Sequence, residues 1–126
     1  MAAPSPGSPD ALIIAEAREI YHSPLMQRIR EAHQSSRSET VQIGKCSIQY
    51  EPLAFSGMTA FPSGFVIGKE AFGSESELKK TLLHELYRLR RSVLSQGGQI
   101  DSKVAKSETQ SAFWFAEQNH VLLDNR

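Results

Sequence analysis

Apolar residues recur at helical spacing at the start of the chain, alternate loosely in its middle and return to helical spacing in its second half. From Asp10 onward Leu12, Ile13, Ala17, Ile20 and Tyr21 stand three or four apart, which predicts a helix opened by Pro9-Asp10 and interrupted by Pro24. A second helix is expected from Leu25 to about Gln34. Its Arg28, Arg30 and His33, with Arg37 after it, read as a solvated basic face, and His22 and His33 as surface histidines. The β-branched run ETVQIGKCSIQYEP predicts a strand ended by Pro52. In LAFSGMTAFPSGFVIGKEAF further strands are expected around Met58–Phe61 and Phe65–Gly68, punctuated by Gly57 and Pro62-Ser63-Gly64. A small sheet of two to four strands follows, with Cys46 packed inside it as a small hydrophobe.

The best-specified element is the helix after Ser74. Ser74 and Glu77 form a capping box, acidic residues open the helix, and Arg88, Arg90 and Arg91 lie toward its end, in keeping with the helix dipole. Gly97-Gly98 is the expected stop. Leu78, Leu82, Leu86, Leu89 and Val93 make one apolar stripe, and Leu83, Tyr87 and Leu94 make a second on the other flank. A helix buried on two sides keeps only a narrow polar sector, in which His84, Arg88, Arg91 and Ser95 stack with Thr81 and Glu85 at the border. A solvent strip explains the arginines, but not a mid-helix histidine beside a carboxylate.

In the last helix Val104, Ala105, Ala112, Phe115 and Ala116 define an apolar face, and Glu108 falls in its middle. A carboxylate there must meet a cation, a metal or strong hydrogen bonds, so Glu108 is expected to reach the His84 and Arg88 sector. Capping of free N–H groups in the first helical turn is the simpler alternative. Glu117, Trp114 and His120 read as surface or packing residues.

Length and charge narrow the options. A chain of 126 residues with 14 basic and 14 acidic side chains is one domain and carries no global field toward nucleic acid or anionic lipid. With Cys46 as the single cysteine, an internal disulfide and multi-cysteine zinc sites are excluded. No long apolar run or signal peptide is expected, so no membrane is a predicted partner. Residues 1–9 read as a flexible Pro/Ser/Gly linker, as expected of a tip cut from a longer polypeptide or of a natural free N-terminus, and 10–126 as a single domain.

The run GFVIGKEAFGSESELKKTLLHELYRLRRS, with SETQSAFWFAEQ after it, resembles the C-terminal toxin domains of bacterial polymorphic toxins, the variable tips of Rhs-repeat and contact-dependent inhibition proteins. The resemblance covers residues 64 to 118. It implies an effector secreted as part of a larger carrier, acting in the target-cell cytoplasm in interbacterial competition and neutralised at home by a cognate immunity protein. The element order is also similar to the minimal zinc-peptidase fold, so the expected architecture is α+β: N-terminal helices, a small β-sheet, a His-Glu helix and a C-terminal helix in a zincin-like arrangement.

In that fold the active helix reads His-Glu-x-x-His. Here His84 would be the first ligand, Glu85 the base and Glu108 the later carboxylate, but Arg88 stands at the second histidine and a guanidinium cannot donate a lone pair to a metal. Too few ligands remain for a confident zinc site unless His22 or His120 folds in. No cofactor is therefore expected, with zinc as the alternative. Without a metal, the same groups suit phosphodiester cleavage of RNA, with imidazole and carboxylate exchanging protons and arginines holding the phosphate. Lys79, Lys80, Arg88, Arg90, Arg91, Lys103 and Lys106 give residues 79 to 106 a basic balance. The expectation is thus a metal-independent nuclease toxin acting on RNA, with His84, Glu85, Arg88 and Glu108 catalytic and Arg91 and Tyr87 binding substrate. The alternatives are a degenerate zincin-like, metal-dependent hydrolase toxin and a non-catalytic zincin-like binding module.

Overall fold

The computed structural model describes residues 5, 7–92 and 101–124. Among them, four α-helices and a four-stranded mixed sheet form an α+β fold. The chain opens with α1 (Pro9–His22), where Ser8 caps the helix by accepting from the Ala11 amide at 3.1 Å and proline occupies the first turn, whose amides lack partners anyway. Helix α2 (Met26–Gln34) follows within a few residues, as Pro24 requires. Strands β1 (Glu39–Ile43), β2 (Cys46–Tyr50), β3 (Gly57–Ala60) and β4 (Gly64–Ile67) come next, then a 3-10 turn at Lys69–Phe72. Helix α3 (Glu75–Arg91), helix α4 (Ser102–Asn119) and a 3-10 turn at His120–Asp124 complete the order.

The single strand expected from ETVQIGKCSIQYEP is instead a hairpin. Ile43 pairs with Cys46 and Glu39 with Tyr50, so Gly44-Lys45 is a two-residue loop, and Gly44 takes φ +60° at the position where such loops place glycine. The alternation looked imperfect because the loop breaks the parity between the two halves. Sheet order is β1-β2-β4-β3: β2 runs parallel to β4, and β3 is folded back antiparallel on the outside of β4 as an edge strand.

One face of the sheet is apolar. Val41, Ile43, Cys46, Ile48, Tyr50, Phe65 and Ile67 are buried, and the register sets Val41 beside Ile48, Ile48 beside Phe65 and Tyr50 beside Ile67. The helices cover that face, giving a two-layer core. Helix α3 is its spine: Leu78, Leu82, Leu83, Leu86 and Leu89 are fully buried between the sheet, α1 and α4. Each contributes roughly 1.5–3 kcal/mol of apolar burial. Ser74 accepts from the Glu77 amide at 3.0 Å, so the expected cap is present. The helix ends at Arg91, with Ser92 extended at its C-cap, earlier than the Gly97-Gly98 stop; those glycines, with Val93, Leu94 and Ser95, lie outside the described residues.

Tertiary pairing revises the solvated basic face. Arg30 reaches Glu75 at 2.9 and 3.1 Å and Arg28 reaches Glu39 at 3.2 Å, so these arginines tie α2 to neighbouring elements. His33 accepts or donates at 2.9 Å with the hydroxyl of buried Tyr50 and stacks on Phe72, while His22 Nε2 lies 2.6 Å from the Leu123 carbonyl. Neither is a simple surface histidine. No helix among the described residues is long and apolar enough to cross a membrane.

The β2–β4 pairing depends on a side chain being absent. A Cβ at Gly64 would stand 1.8 Å from the Ser47 carbonyl oxygen, a backbone atom that cannot swing away. Gly64→Ala is expected to cost about 2–4 kcal/mol and to lower Tm by roughly 10 °C. Thermal melting by circular dichroism checks this; an unchanged Tm would show that the two strands can separate without loss.

Candidate functional site

The period-2 pleat of β3 places Gly57 and Thr59 on the face shared with Ile67 and Phe65, toward α3. Opposite them Glu85 is 3% exposed, and its Oε1 accepts from Thr59 Oγ1 at 2.6 Å. Gly57 makes room: a Cβ there would come within 3.0 Å of the Glu85 carboxyl and within 2.9 Å of the Thr81 methyl. Thr81 turns its hydroxyl away, donating to the Glu77 carbonyl at 2.8 Å, so that its methyl faces the strand. The two residues assigned to the border of a polar sector are thus buried against the edge strand.

Outside this contact lies a groove of about 360 Å³ between the edge strand, α3 and α4. Ser56 and Gly57 form one wall, Glu77, Lys80, Thr81, His84 and Glu85 the floor, and Phe113, Ala116 and Glu117 the other wall. His84 Nε2 stands 4.0 Å from Glu85 Oε2. Lys80, one turn before His84, pairs with Glu117 at 3.1 Å and approaches Glu77 at 4.0 Å.

Electrostatics push both members of the His-Glu pair toward neutrality. Burial lowers the His84 imidazole below its ordinary range, and the nearby Arg88 charge adds to that. Burial raises the Glu85 carboxyl; the Thr59 hydrogen bond and Arg88 oppose the rise without cancelling it. The groove therefore holds an imidazole that binds its proton less readily than a free one beside a carboxyl that gives its proton up less readily.

The other expected site residues fall elsewhere. Glu108 is half-buried and accepts from Ser92 Oγ at 2.8 Å, at the end of α3, one turn beyond Arg88. It is not the cap of its helix, because Asp101 holds that place and accepts from the Val104 amide at 2.9 Å. The core seam of α4 begins only at Ala112, so Val104 is exposed and Glu108 lies before the deeply packed part. Arg91 faces α1, where it pairs with Asp10 at 2.5 Å and lies over the Tyr87 ring. Tyr87 packs on Phe115 and lines a different cleft together with Trp114. Arg88 keeps its influence on His84 and Glu85 through its charge, and its buried Nε meets no hydrogen-bond partner among the described residues. Of the expected residues, only His84 and Glu85 line the groove.

The donors do not fit zinc. Among the described residues no group of three or more His, Cys, Asp or Glu side chains is placed to hold a metal ion. His120 approaches Ser76 at the opening of α3, about 12 Å along the helix from His84 at 1.5 Å rise per residue. His22 is engaged with Leu123. The Cys46 thiol, buried in the sheet, is pushed up to about 12 and is inert as a nucleophile. Thr59 and Phe113 were not singled out from the sequence, while Lys80 stood only in the basic balance of residues 79 to 106 and Gly57 only as turn punctuation. Lys80 carried a usable signal, its four-residue spacing from His84, whereas the Thr59 contact depends on strand and helix meeting in space.

Comparison of the chain with protein families, curated proteins and solved structures finds no match.

Because the folded state holds the Glu85 proton more tightly than the unfolded chain does, native stability falls as pH climbs from about 4.3 through the raised folded value. The penalty is fully present above that value and absent below the unfolded one. Glu85→Gln keeps the shape and an oxygen for Thr59, so it is expected to be more stable than the parent at pH 8 and to lose that advantage toward pH 4. Urea midpoints across this range check the sign; a variant weaker than the parent at pH 8 would mean that the site holds the charged carboxylate.

Proposed function

We propose that the groove is a metal-independent acid–base site for cleaving RNA in an antibacterial effector domain. The observation that carries this reading is His84, which burial makes a poorer proton holder, beside Glu85, which burial makes a weaker acid, on a groove floor shared with Lys80. In the reaction the imidazole takes the proton of a ribose 2′-hydroxyl, O2′ bonds to phosphorus, and the bond from phosphorus to O5′ breaks. His84 Nε2 and Glu85 Oε2 stand 4.0 Å apart, so the base and the acid act as one unit on the groove floor. The Glu85 carboxyl gives its proton to O5′ as that bond breaks, and the imidazolium then passes the proton it took to Glu85, which resets the pair. Lys80 supplies the positive charge next to the phosphorane in place of Arg91, which is engaged with Asp10.

The effector setting rests on the resemblance of residues 64 to 118 to polymorphic toxin tips, with carrier delivery, target-cell cytoplasm and a cognate immunity protein as its corollaries. The zincin-like arrangement belongs to the same proposal. In its favour, the His-Glu helix lies under a mixed sheet beside an edge strand and a further helix follows it, with Arg88 at the position of the missing ligand.

A second reading has its own support. Glu77, Glu85 and Glu117 outnumber Lys80 in the groove, which favours a non-catalytic module that binds a cationic or uncharged partner.

Purified protein incubated with total cellular RNA in excess chelator separates the two. Cleavage is expected, and His84→Ala should lower it by about 10²–10⁴-fold with the circular dichroism spectrum unchanged. The acid limb of the rate should fall below about pH 6.5, since the folded imidazole binds its proton less readily than a free one. A folded protein that leaves RNA intact supports the binding module instead.

A further inference from the structure

We propose that Phe113 is the base-stacking platform of this groove and that its ligand is a base of single-stranded RNA. The inference rests on the acid–base reading of His84 and names a substrate-binding residue for it. Phe113 is 60% exposed although α4 is firmly docked around it, with Ala112 before it and Ala116 after it buried. An aromatic ring left in water at the rim of a groove offers a flat apolar face that a ligand can cover. Lys80 and His84 lie on the adjoining floor, so a ligand that covers the ring can also offer an anionic group to the lysine in place of the Glu117 carboxylate that holds it. A nucleotide combines both: its base has the flat face and its phosphate the charge.

Ser56 and Gly57 form the facing wall of the groove. Glu117, one helical turn after Phe113, holds Lys80 at 3.1 Å in the free protein, and a phosphate arriving with the stacked base takes its place. Because every base has a π-face, binding through Phe113 is tolerant of sequence. Trp114 is the internal control. It is 66% exposed and larger, yet it lines the cleft with Tyr87 on the other side of α4.

The test uses the full chain carrying His84→Ala, which binds without turnover, and a short fluorescent single-stranded oligoribonucleotide followed by anisotropy. In this background Phe113→Ala is expected to weaken binding by roughly tenfold to a hundredfold. Phe113→Tyr should restore it, and Trp114→Ala should leave it within about twofold. Binding unchanged by Phe113→Ala, or weakened equally by Trp114→Ala, overturns the stacking role. Cleavage by the otherwise native chain reports on His84 separately: if Phe113→Ala cleaves with an unchanged KM, stacking fails and the nuclease stands. If the native chain neither binds nor cleaves RNA, both fail.

Discussion

The burial of the Glu85 carboxyl against the edge strand constrains nearly everything around it. A carboxyl removed from water is costly unless it is hydrogen-bonded or neutral, and this one has both remedies: a hydroxyl from Thr59 and a proton held more tightly than usual. Reaching Thr59 requires β3 to pass close over α3, which only a glycine at 57 allows. That approach closes one wall of the groove and leaves His84, the next residue along, facing into it. The position of the imidazole thus follows from that of the carboxyl.

The same helix organises the charges. Four of its five cations meet an acid brought by another element: Lys79 meets Asp124, Lys80 meets Glu117, Arg90 meets Glu16 through two hydrogen bonds, and Arg91 meets Asp10. Exposed pairs of this kind are worth only about 0–1 kcal/mol each. Their value here lies in register, since they fix α1, α4 and the C-terminal turn on α3. A basic stretch in the linear chain consequently becomes a set of neutralised contacts, of which the Lys80–Glu117 pair lies in the groove.

How much of this could be read from the sequence depended on the range of the interaction. The cap at Ser74, the leucine stripe of α3, the strands near Met58 and Phe65 and the burial of Cys46 are local or periodic, and all are present. The hairpin at Gly44-Lys45 was legible in principle, as a glycine followed by one residue between two β-branched runs, but the parity break concealed it. Helical angles suggested that Arg91 shares the side of His84. Angle alone cannot reveal that a long side chain near a helix end will bend toward an acid on α1. Glu108 shows a different limit. Its apolar neighbours Val104 and Ala105 imply burial only if α4 is packed along its whole length, and the packed seam begins at Ala112.

That seam matters to the chemistry of the groove as well. Ala116 and Phe115 dock the second half of α4 on α3, and this docking removes water from above His84 and Glu85. Burial is the largest influence on both groups, and it acts in opposite directions on a base and an acid. A modest opening of α4 would let water in and return both groups toward their ordinary ranges, all without moving either side chain. The poise of the pair therefore belongs to the interface between two helices, and side chains such as Ala116, which touch no proton themselves, help to set it.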